Sequence, residues 1–137
     1  MEIQFYQVNK PYSGTIDSIQ DKYRYQFFYD NHNKPIRCIV CLSDGATQHL
    51  YSNQWAESLV QSFIEKPIFE KDKFQSIISR AKELFEKNFQ DDIKPQNPAF
   101  RAAIREKLKN GLAATFVALE IDLEEYKWKL IQFGDSR

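Results

Sequence analysis

The sequence predicts an α+β fold with antiparallel strands, and three observations carry that expectation. Near the start, Lys22–Asp30 alternates in polarity and Ile36–Leu42 is continuously apolar, with turn residues between them. The middle of the chain, from Ser52 to Leu108, repeats apolar residues at helical spacing. The chain then returns to strand-like runs in "GLAATFVALEID" and "YKWKLIQF". Strands, helices, then strands is the order of segregated layers rather than of repeating βαβ units.

Each element has a local reason. "EIQFYQV" (Glu2–Val8) reads as a short strand, closed by the turn residues of "NKPYSG". Tyr23, Tyr25, Phe27 and Tyr29 share one face of the next strand, while Lys22, Arg24, Gln26 and Asp30 take the other, with Phe28 the exception. That is a half-buried strand. "DNHNKP" is turn chemistry, and Ile36–Leu42 reads as a more deeply buried antiparallel partner.

Trp55, Leu59, Val60, Phe63 and Ile64 then fall at helical spacing, with Ser52 the expected N-cap and Pro67 the stop. Phe74, Ile77, Ile78, Ala81, Leu84, Phe85 and Phe89 form one apolar stripe, opposite Lys73, Arg80, Glu83 and Lys87. "DDIKPQNP" interrupts it. Asn97-Pro98 starts a further helix through Phe100, Ile104 and Leu108, and Asn110-Gly111 ends it. In the last strand Tyr126, Trp128 and Leu130 alternate with Lys127 and Lys129, before burial at Ile131 and Phe133. No repeat or linker divides residues 1–137, which read as part of one domain.

Bulk properties narrow the function. A chain of 137 residues that is 42% hydrophobic and 15% aromatic can fill a core, which excludes a disordered class. Lys+Arg 19 balance Asp+Glu 19, and the basic residues interleave with acids in "EKDK" and "REKLK", so there is no electrostatic footprint for nucleic acid. "MEIQFYQVNK" lacks the basic start and long apolar run of a signal peptide. No apolar run approaches the roughly 20 residues of a membrane helix. A cytoplasmic location is expected.

Cys38 and Cys41 form a C-x-x-C within an apolar strand, where residues three apart point to opposite faces. No second such pair or H-x-x-x-H completes a tetrahedral site, so they are expected to be buried structural thiols. Carboxylates at strand ends are a different matter. Asp44 follows the apolar run Ile36–Leu42, Asp135 follows the run ending at Phe133, and Asp21 immediately precedes the alternating strand. Hard divalent cations take such oxygen ligands, and glycine beside Asp44 and Asp135 lets backbone approach a ligand. Any one of these is ordinary turn chemistry.

Five motifs in order give them a context: "IQD" (Ile19–Asp21), "CLSDGAT" (Cys41–Thr47), "SNQWAESLV" (Ser52–Val60), "GLAATFVAL" (Gly111–Leu119) and "FGDSR" (Phe133–Arg137). Together they resemble the bacterial type-2C, metal-dependent serine/threonine protein phosphatases, over nearly the whole chain. The resemblance implies a four-layer αββα fold, an antiparallel β-sandwich flanked by helices, and a centre of two or more Mg²⁺ or Mn²⁺ ions at one end. Asp44 would bridge the metals, Gly45 would offer its carbonyl, Asp21 would lie in or near the ligand shell, and Asp135 would join an additional metal. The substrate class implied is a phosphoprotein carrying phosphoserine or phosphothreonine, hydrolysed by a metal-activated water with no covalent intermediate and no catalytic side chain assigned.

Some residues depart from the family pattern. Thr15, Ile16 and Asp17 stand where many members carry a phosphate-gripping Arg, so no substrate-binding residue is assigned. Ala46 stands where eukaryotic members have a candidate acid, His; His49 nearby is more simply a surface residue. The family's remaining metal aspartates follow "GDSR", so the resemblance implies that this chain is the first half of a longer catalytic domain. The alternative is a non-catalytic half-domain acting as a protein-interaction or oligomerisation module, with open sheet edges available for self-association.

Overall fold

The computed structural model describes residues 21–46, 51–109 and 111–134. The strand expected at Glu2–Val8, as well as Thr15–Asp17, His49 and Asp135, lies outside the described residues. In chain order the elements are β1 (Asp21–Tyr29), β2 (Pro35–Gly45), α1 (Ser52–Glu65), α2 (Gln75–Ile93), α3 (Pro98–Leu108), β3 (Ala114–Asp122) and β4 (Lys127–Phe133). The strands form one sheet in the order β1-β2-β3-β4, antiparallel at every step. The α+β class and the hairpin of the first two strands are as the sequence leads one to expect.

The hairpins close through side chains. The Asp30 carboxylate accepts hydrogen bonds from the backbone N–H of His32 (2.8 Å) and Lys34 (2.9 Å), an Asx-type turn that leaves Asn33 at φ 60°. At the β3–β4 turn, Asp122 accepts from Glu124 (3.0 Å) and Glu125 (2.9 Å), and these donors hold its carboxyl below the usual range.

The helix ends reward one sequence expectation and correct another. The Asn97 side chain accepts from the Phe100 N–H at 2.8 Å with Pro98 behind it, the expected cap of α3. Ser52, by contrast, is the first residue of α1 rather than its cap. Tyr51 occupies that position in a left-handed conformation (φ 64°) without a side-chain cap bond, and its ring lies edge-on to Phe89. Aromatic packing, not hydroxyl capping, decides where this helix starts.

The core forms between one face of the sheet and the helices. Ile39 and Cys41 of β2, Phe116 and Ala118 of β3 and Ile131 of β4 are buried on that face. Helix α1 covers it with Trp55, Leu59, Val60 and Phe63, and α2 packs along α1 through Ile77, Ala81, Phe85 and Phe89. Phe63 is central: its ring meets Phe69, Phe74 and Phe116 at 5.1–6.5 Å. Phe74, at the start of α2, reaches across to stack on Phe133 of β4 at 4.0 Å.

The opposite face of the sheet carries the aromatic row of β1. The aromatic residues of β1 point away from the helices, while Arg24, on the polar side of the alternation, pairs with Glu57 of α1. Tyr23, Tyr25, Phe27 and Tyr29 instead line up along the outer face with ring centroids 6.1–6.5 Å apart. Tyr29 remains 57% exposed and Trp128 of β4 68% exposed.

Core and outer face should therefore respond differently to truncation. Phe63→Ala is expected to cost about 3–5 kcal/mol in urea denaturation, the usual cost of emptying a buried Phe site. Tyr29→Ala should cost less than about 1 kcal/mol in the same measurement, as is usual for exposed positions.

Candidate metal centre at one end of the sheet

The end of the sheet away from the β1–β2 turn gathers the acidic positions. In the register of β1 and β2, Asp21 lies directly opposite Asp44. Asp44 in turn faces Thr115 of β3, and Gly134, just past β4, packs against Thr115. Strand alternation puts the Asp21 and Asp44 side chains on the outer face, with Tyr23 and Leu42 rather than with the helix-facing Ser43. Directly opposed residues have Cβ atoms about 4.5–5.5 Å apart, and like charges so placed destabilise the pair unless something positive lies between them. Both aspartates are solvent-exposed, so water and cations can reach them.

Of the candidate ligands, Asp21, Asp44 and Gly45 are thus brought to one end, while Asp135 lies outside the described residues. Among the described residues no group of three or more His, Cys, Asp or Glu side chains converges. Thr115 is the neighbour the sequence analysis did not single out. It opens the strand "ATFVAL", but only strand pairing shows that it abuts Asp44.

The glycines have structural duties beside any role near a ligand. A Cβ on Gly45 would lie 2.6 Å from the backbone carbon and oxygen of Ser52, so the end of β2 and the first turn of α1 touch backbone to backbone. Gly134 takes φ 79°, a left-handed conformation that glycine adopts without strain. Beside the Gly45 contact, Ser52 is buried, and among the described residues neither its Oγ nor the Oε1 of Gln54 has a hydrogen-bond partner. The Ser43 hydroxyl instead donates to the Thr115 carbonyl at 2.7 Å, tying β2 to β3 on the helix side.

The cysteines behave as expected. Both are buried, free and on opposite faces. Cys41 lies beneath α1, its Sγ 3.6 Å from the Val60 carbonyl, and burial pushes its thiol up to about 12. Cys38, on the outer face between its strand partners Phe27 and Ile121, is also raised by burial. A raised thiol pKa means that the folded state holds the proton longer than the unfolded state. Its contribution to stability is full below about 9 and is lost as pH climbs toward 12.

No family model, no curated protein and no solved structure matches this chain. The reading of the site therefore rests on its own geometry and on the sequence motifs. Among the described residues, no helix is long and apolar enough to cross a membrane.

Two expectations follow. Gly45→Ala should lower stability by about 1–3 kcal/mol, the usual cost of overpacking, measured by urea denaturation. Iodoacetamide at pH 8 should leave both thiols of the folded chain largely unmodified and label both in denaturant, as peptide mass spectrometry would read.

Proposed function

We propose that the chain is part of a metal-dependent serine/threonine phosphoprotein phosphatase, and that the Asp21–Asp44 end of the sheet is one side of its divalent-cation site. The observation that carries this reading is the cross-strand pairing of two exposed aspartates. Two like charges placed opposite each other have a physical rationale if a cation is meant to sit between them. The row continues through Thr115 to Gly134, so the turn that opens "GDSR" begins at this same end. On this reading the domain is a four-layer αββα sandwich, the sheet described here supplies one of its two β layers, and a second sheet covers the outer face.

The donor chemistry fits Mg²⁺ or Mn²⁺, since carboxylates and a backbone carbonyl are hard oxygen ligands. Asp44 would hold the ion or ions by its carboxylate, Gly45 by its carbonyl, with Asp21 beside them and Asp135 at an additional position. Bound divalent cations supply an acidified water and charge neutralisation on a phosphate ester. The protein's own part is to hold the two carboxylates on rigid, paired strands. Cys41 and Ser43, both buried, fix the end of β2, and the partly exposed Arg24–Glu57 pair ties β1 to α1.

A shell drawn from one side is weak. Titration calorimetry with Mn²⁺ should show weak binding, on the order of a millimolar dissociation constant or about −4 kcal/mol, that Asp44→Ala abolishes. Unchanged affinity in that variant would remove Asp44 from the site. The 137-residue chain alone should hydrolyse a phosphoserine peptide poorly or not at all with Mn²⁺ present, because one side of the shell and a phosphate-gripping Arg are lacking and positioning is worth several kcal/mol of barrier. Robust turnover by this chain, lost in Asp44→Asn, would show that the ligands named here suffice.

A further inference from the structure

We draw no further inference here: the strongest candidate, the apolar outer face of the sheet lined by the aromatic row of β1 and by Trp128 and Leu130 of β4, falls to a second sheet of the same domain on the reading above, and nothing in the structure shows what covers it.

Discussion

The packing of α1 on β2 and β3 is the contact on which the remaining structure depends. Val60 and Phe63 press onto Ile39, Cys41 and Phe116, and burial of this apolar surface is the main force that selects one arrangement of these elements. Phe63 links α1 to the start of α2 and to β3 at once, so a single ring joins three parts of the chain far apart in sequence. At the other end of the same interface the backbone of β2 meets the backbone of α1 at Gly45, which leaves no room for a side chain. The tilt and depth of the helix are set between these two points.

That placement has a consequence for Asp44. It follows Ser43, whose hydroxyl is bound to β3, and precedes Gly45, which is locked against α1. A carboxylate held between two such fixed neighbours loses little further freedom on binding a ligand, the general requirement for a rigid site. Asp44 thus stands on a strand end held on both sides, by β3 and by α1. The same packing uses only one face of the sheet, so the aromatic row of β1 and the Trp128–Leu130 side of β4 are left outward.

Particular residues show how far the sequence could be read. The apolar stripe from Phe74 to Phe89 faces inward because a helix of period 3.6 can bury such a stripe in only one orientation. Asn97-Pro98 was equally legible, since its cap bond is formed within three residues. Ser52 was misjudged because a hydroxyl before an apolar run is a generic cap signal, whereas the residue that precedes α1 is Tyr51, whose ring packs on Phe89, with α1 and most of α2 between them in sequence. Alternation in β1 was also legible, but which side the helices would cover was not. Period two identifies two faces without saying which one a helix will cover, and here the helices took the side carrying Arg24.

The sequence by itself determined the order of elements, their approximate bounds and the apolar helix stripes, because all of these follow from local spacing. Only the tertiary structure decided that Asp21 stands opposite Asp44, that Thr115 joins them, and that Gly45 is required by a helix rather than only by a turn. Those relations depend on strand register and on helix docking, which are settled by contacts between residues tens of positions apart. A one-residue slip in register would have turned Asp21 to the helix side and broken the row.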